Sequence, residues 1–336
     1  MVPGFEQAHD YLNMGLLLCN MGRLVRVGVK EGSGAELSDE EIAVHRKSIA
    51  FYQRAQECIK KAPSLNADPL PEVYPRILES VNQEVARVKF NFASLLQDYP
   101  PLSRIPAEDL EKETTNTFLE AVRFYEGEVS KYAKQLQQHQ YHQQLQPEVS
   151  SDRNSLLSLT NERIANIHHR LASLHHNSLA QAEASGRGAS TRQIKMLAEN
   201  HYQKALLVYT PEAYPFEYLK IHLELARLQE SGHQQADSLP LKQATTTLDL
   251  LLKGRLGLPL GPPAQFEERI TGLATILETK VQMVLRELIK LYSAKKNAKK
   301  TEVFKRLYSQ LLTGAPSIQG LRGKLDLLAR AYDADA

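Results

Sequence analysis

An all-α fold, built from helices stacked in series, is predicted by three features of the 336-residue chain. Prolines cluster at the borders of long proline-free stretches. Within those stretches apolar residues recur every three to four positions, the period of an amphipathic helix. Strand signals are nearly missing, with no β-branched alternating run and no Asn-Gly hairpin.

The prolines leave 4–62, 107–146, 148–210 and 264–315 nearly or wholly uninterrupted. A proline inside a helix removes a hydrogen bond and costs about 3 kcal/mol, so these stretches are the candidate helices. About eleven are expected: 5–27, 39–61, 72–97, 107–143, 150–183, 190–209, 212–230, 239–254, 264–293, 297–312 and 316–331. The first carries Leu12, Leu16 and Cys19 on one stripe, with Leu17 and Met21 beside it. The third carries Val81, Val85, Val88, Phe92, Leu95 and Leu96. The fourth opens on Glu108, Asp109, Glu111 and Glu113, carboxylates that complement the positive end of a helix dipole. The fifth carries Ile164, Ile167, Leu171 and Leu174.

The helices repeat. Ala8, Ala86 and Ala165 are 78 and 79 residues apart, and the same offsets relate Met14, Phe92 and Leu171. They also relate Gly15, Ala93 and Ala172, small residues that permit a neighbouring helix to approach closely. The second helix of a tetratricopeptide unit favours Ala-x3-Tyr/Phe-x2-Ala. This chain has Ala198, Tyr202 and Ala205, and in degraded form Ser48, Tyr52 and Ala55. Met14-Gly15 with Gly22 and Leu24 fits the first helix of such a unit. The regular period is about 34 residues, so the expectation is an irregular tetratricopeptide-like α-solenoid with long helices and inserted loops such as 28–38. An ordinary helical bundle is the competing architecture. The repeat region is expected at 1–235, followed by a C-terminal helical region at 236–336 that holds a basic patch.

Composition narrows the function. Net charge is +2, so attraction to nucleic acid or anionic lipid must come from a local patch rather than the whole surface. Cys19 and Cys58 are the two cysteines, too few for a disulfide framework and suited to a reducing compartment. No leader sequence and no run of about 18 apolar residues is present, so neither secretion nor membrane spanning is indicated. Catalysis has no motif behind it. Gly32-Ser33-Gly34 and Gly186-Arg187-Gly188 lack the rest of a phosphate loop, and neither a G-x-S-x-G elbow nor His-Glu-x-x-His occurs. No enzyme activity, cofactor or small-molecule substrate is expected.

Two clusters invite chemistry. His168, His169, His175 and His176 share one predicted helix, but the pairs recur at seven residues, about 10 Å apart, and no Cys or acidic pair stands beside them at ligand spacing. A structural role across helix interfaces is expected, and no metal. In 290–306, Lys290, Lys295, Lys296, Lys299, Lys300, Lys305 and Arg306 face only Glu302, a local charge of +6. A solvated helix terminus, a nuclear-import or docking patch and a phosphate contact all fit that pattern, though no aromatic is interleaved within 295–303 to stack bases. For protein partners, a groove between stacked helix pairs is expected, with Asn82, Lys89, Asn166 and Asn200 as polar anchors on apolar faces. A nucleic-acid-binding module using 290–306 is the alternative function.

Several strings resemble a known family. Ser80-Val81-Asn82, Gln97-Asp98-Tyr99 with Pro101-Leu102-Ser103-Arg104, Ile167-His168-His169-Arg170-Leu171-Ala172-Ser173, and Tyr308-Ser309-Gln310-Leu311-Leu312 are similar to the C-terminal helical region of the erythroid differentiation-related factor 1 family. The resemblance runs in the same order over most of 5–335. It implies tetratricopeptide-like repeats and a nuclear protein scaffold supporting transcription, namely globin-gene activation in erythroid differentiation. Cytoplasm is the alternative location. The family's long N-terminal region has no counterpart here, and the resemblance carries over no catalytic or ligand-binding residue.

Overall fold

The computed structural model describes residues 10–27, 37–65, 73–99, 105–141, 148–184, 188–230 and 296–313, with scattered positions between 243 and 294. Eight helices have their bounds among the described residues. They are α1 (Tyr11–Val27), α2 (Asp39–Leu65), α3 (Val73–Asp98), α4 (Ala107–Tyr141), α5 (Glu148–Ala184), α6 (Gly188–Leu206), α7 (Pro215–Glu230) and α8 (Ala298–Leu312). Helical residues also occur between 243 and 250 and between 268 and 294, where two further helices are expected. The expected count of eleven is therefore not reached among the described residues. Positions 5–9, most of the loop at 28–38 and the helix at 316–331 fall outside them. No strand occurs among the described residues.

Local chemistry sets the helix starts. Asp10 caps α1, its Oδ1 accepting from the Asn13 amide at 3.3 Å. Ser38 and Glu41 form a reciprocal capping box at α2, with the Ser38 amide donating to Glu41 Oε2 at 2.8 Å and the Glu41 amide donating to Ser38 Oγ at 3.2 Å. Those bonds hold the Glu41 carboxyl below its ordinary range. Helix α2 runs through Pro63 to Leu65, four residues past the expected end.

The chain divides into two compact units, Met1–Leu174 and His175–Ala336. The boundary expected at 235/236 lies outside the described residues. In the first unit each helix packs on its sequence neighbour, α1 on α2, α2 on α3 and α3 on α4. One core joins Met14 and Leu18 of α1, Tyr52 and Ile59 of α2, and Val81 and Val85 of α3. A second joins Ala86 and Ala93 of α3, Phe118 and Ala121 of α4, and Ile167 and Leu171 of α5. Helix α3 thus serves both cores from adjoining stripes. Burying each large side chain contributes about 1.5–3 kcal/mol, and no one helix buries its apolar face alone.

The repeated positions carry this packing. Met14, Phe92 and Leu171 are all core residues, 2%, 1% and 0% exposed. At Gly15 α1 and α2 approach closely, since a Cβ there would lie 2.6 Å from Ile59 Cγ1. At Gly22 a Cβ would lie 2.9 Å from Tyr52 Cε2, while the carbonyl accepts from Ser48 Oγ at 2.7 Å. The small–aromatic–alanine triad occurs three times rather than twice. Thr114-Phe118-Ala121 on α4 matches Ser48-Tyr52-Ala55 on α2 and Ala198-Tyr202-Ala205 on α6, and no member exceeds 1% exposure.

In the second unit α6 packs on α7. His175 stacks on His201 at 5.7 Å, and His176 Nδ1 lies 3.2 Å from the Tyr202 hydroxyl. Three of the four histidines of the cluster, His168, His175 and His176, are buried, and His169 is half-buried.

Candidate functional site

Within the first unit, α1, α3 and α5 each carry a stripe of exposed and half-buried residues. On α1, Asn13, Leu16, Asn20, Arg23, Leu24 and Val27 share the solvent face. On α3 one stripe holds exposed Arg87 and Asp98 with half-buried Asn91 and Ser94 between them, and on α5 one holds exposed Leu159, Arg163 and Asn166 with half-buried Arg170. Helices α1 and α3 share the first core, and α3 and α5 share the second. Polar bonds also tie α3 to α5. The Arg170 guanidinium donates to both Asp98 carboxylate oxygens, at 2.9 and 3.1 Å, and Gln97 Nε2 donates to the Arg170 carbonyl at 2.9 Å.

Three carboxamides on this surface, those of Asn20, Asn91 and Asn166, make no hydrogen bond among the described residues. Ser94 Oγ lies in the α3 stripe, shielded from solvent and also without a partner. A carboxamide offers one acceptor and two donors, the complement of a peptide backbone unit. The surface can therefore bond the main chain of a partner segment while Leu16 and Leu24 cover its apolar side chains.

The four expected anchors divide. Asn166 and Asn200 are exposed, on α5 and α6. Asn82 is half-buried and accepts from Gln56 Nε2 of α2 at 2.6 Å. Lys89, its side chain 13% exposed, donates to Glu120 of α4 at 2.5 Å. Asn82 and Lys89 lie seven residues apart on α3 and bond to different neighbouring helices, α2 and α4. Asn20, Asn91 and Ser94 were not singled out by sequence reasoning. Only Asn91 had a signal in the 78-residue offset, since Asn13 and Asn91 hold equivalent places one repeat apart.

The basic patch forms a second surface, in the other unit. A helix ending near Ala294 turns through Lys296, whose φ of 55° is left-handed, and restarts at Asn297, which caps α8 by accepting from the Lys300 amide at 3.1 Å. Lys296, Lys299, Lys305 and Arg306 are exposed, and Lys300 sits with Nζ 5.0 Å from the Tyr292 ring centroid. Lys295 lies outside the described residues.

Among the described residues no group of three or more His, Cys, Asp or Glu is placed to hold a metal ion. None of their helices is long and apolar enough to cross a membrane. His222 of α7 is buried, tilted against the Tyr218 ring at 4.3 Å, and neither ring nitrogen has a partner. Burial pushes its pKa down to about 4.

Residues 2–143 and 148–259 match the family described as erythroid differentiation-related factor 1-like, TPR repeats. The chain belongs to that family. Human erythroid differentiation-related factor 1 is 27% identical over 350 residues, covering 93% of this chain and 26% of the human protein. The mouse and orangutan (Pongo abelii) proteins of the same name give the same identity and coverage. The chain thus spans about a quarter of the length of these erythroid differentiation-related factor 1 relatives. No solved structure matches it. The matched residues include the triads on α2, α4 and α6.

Proposed function

We propose that this chain is a non-catalytic protein-interaction scaffold, an irregular α-solenoid within a nuclear factor that supports transcriptional activation in erythroid differentiation. The observation that carries the reading is the α1–α3–α5 surface, where the carboxamides of Asn20, Asn91 and Asn166 are unpartnered among the described residues and α1 exposes Leu16 and Leu24. An extended segment of a partner protein lies along these stripes, its backbone bonded by the asparagines. Asn82 and Lys89 set the spacing of α2, α3 and α4 that keeps the stripes in register. Asn166 contacts the partner in the first unit, and Asn200 is read as a separate partner-binding position of the second.

The nuclear role rests on family membership and the erythroid factors' names. The repeat region is read as 1–235 and the C-terminal helical region as 236–336. An import role for Lys295, Lys296, Lys299, Lys300, Lys305 and Arg306 is separable, because neutralising them would relocate the protein without changing partner capture. The test is affinity capture from nuclease-treated nuclear extract with the wild-type chain and an Asn20, Asn91, Asn166 triple-alanine variant. Partners that withstand nuclease and are lost from the variant support the scaffold. Partners retained by the variant would refute the placement.

A further inference from the structure

We propose that the hairpin running from Tyr292 through α8 is a docking surface for an acidic protein segment carrying an apolar residue between its carboxylates. This surface lies in the second unit and does not depend on the α1–α3–α5 reading.

Charge sets the sign of the partner. Lys296, Lys299, Lys305 and Arg306 are exposed, and none makes an ion pair among the described residues. Elsewhere Arg46, Arg87, Lys89, Lys131 and Arg170 are each matched to a carboxylate. On α8 the only acid is Glu302. Unneutralised cations of this density attract an anionic partner.

Two further observations choose protein over nucleic acid. The hairpin's tyrosines are already engaged. Tyr292 stacks on Phe304 at 5.5 Å and carries the Lys300 ammonium, while Tyr308 accepts from Arg286 Nε at 2.7 Å beneath that guanidinium. Binding single-stranded bases needs rings free to stack. Val303 is 42% exposed and stands between Lys299 and Arg306 on one helical face, four residues after the first and three before the second. A phosphate backbone offers nothing apolar to cover it. An acidic segment with a leucine between carboxylates does. Lys299 and Arg306 are seven residues apart, about 10 Å along the helix, a span that three extended residues of a partner bridge.

The surface is preorganised. The Tyr292–Phe304 stack, the Asn297 cap and the Thr301 hydroxyl donating to the Asn297 carbonyl at 2.8 Å fix the turn before anything binds. Binding then costs side-chain order but little backbone order.

The experiment is fluorescence anisotropy on the full chain with three labelled probes: a short Asp/Glu peptide containing one central leucine, a polyglutamate peptide of equal charge, and a duplex DNA. The leucine peptide is expected to bind about tenfold tighter than polyglutamate, the order of effect from covering one apolar side chain. Val303→Ser should remove that preference and leave polyglutamate binding unchanged. Lys299→Glu with Arg306→Glu should abolish both, with far-UV circular dichroism unchanged. Three results would each overturn the proposal: equal affinity for the two peptides, tighter binding of the duplex than of either peptide, or leucine-peptide binding that survives the double charge reversal. So would no binding to any probe.

Discussion

Gly15 and Gly127 are both helical glycines, and the same substitution at each should have opposite signs. At Gly15 an added Cβ would stand 2.6 Å from Ile59 Cγ1, 3.1 Å from Ile59 Cδ1 and 3.2 Å from the Ala55 carbonyl oxygen. Ordinary carbon–carbon contact is about 3.5–4.0 Å, so the overlap approaches 1 Å. Ile59 is β-branched and 1% exposed, and one of its neighbours in the clash is backbone, so neither can swing aside. Overpacking of this kind costs about 1–3 kcal/mol, and the upper end applies because α1 must move off α2. Alanine's better helix propensity returns about 1 kcal/mol. Gly15→Ala should therefore destabilise the first unit by about 2 kcal/mol, a shift of roughly thirtyfold in its folding equilibrium. At Gly127 of α4 nothing lies within 4 Å of the added Cβ, so Gly127→Ala keeps only the propensity gain of about 1 kcal/mol. Urea unfolding followed by circular dichroism should move the two midpoints in opposite directions with unchanged m-values. If Gly15→Ala raised the midpoint as Gly127→Ala does, the close approach of α1 and α2 would be wrong, and with it the reason for a small residue at this repeat position.

Three other outcomes follow from the same contacts. Tyr52 is fully buried with a hydroxyl that finds no partner, so Tyr52→Phe should stabilise the chain by about 1 kcal/mol, read from the same urea curves. Phe118 is 0% exposed, and Phe118→Ala should cost about 3–5 kcal/mol, which a thermal melt would register as a large fall in midpoint. His222 has a folded pKa lowered from 6.5 to about 4, so the unfolded chain binds the proton first as pH falls. Its contribution is full above pH 6.5 and is lost progressively toward pH 4, about 3 kcal/mol in all, and His222→Leu should flatten that part of the stability–pH profile.

The helices were legible because proline borders and apolar period depend only on neighbours in sequence. The α3 stripe from Val81 to Leu96 reads directly as a buried face. The repeat was legible at Ser48-Tyr52-Ala55 and Ala198-Tyr202-Ala205, where tyrosine marks the second helix. It was missed at Thr114-Phe118-Ala121 because threonine stands in the small position, its hydroxyl satisfied by the Leu110 carbonyl at 2.8 Å. Asn82 and Lys89 read as anchors from their faces alone. Their bonds to Gln56 and Glu120, 26 and 31 residues away, follow from helix pairing that no local pattern encodes. Asn20 carried no repeat signal, since its counterpart 78 residues on is Asp98 and a polar residue on a polar face looks like any solvated position.

The central claim is that the α1–α3–α5 stripes bind protein, and site-specific photo-crosslinking tests it most directly. A benzophenone residue would be placed in turn at Asn91, Asn166 and exposed Glu126 on α4, and each variant exposed to nuclease-treated nuclear extract. The account predicts the same protein adduct at Asn91 and Asn166 and none at Glu126. Equal labelling at all three positions, or adducts that vanish with nuclease, would contradict it.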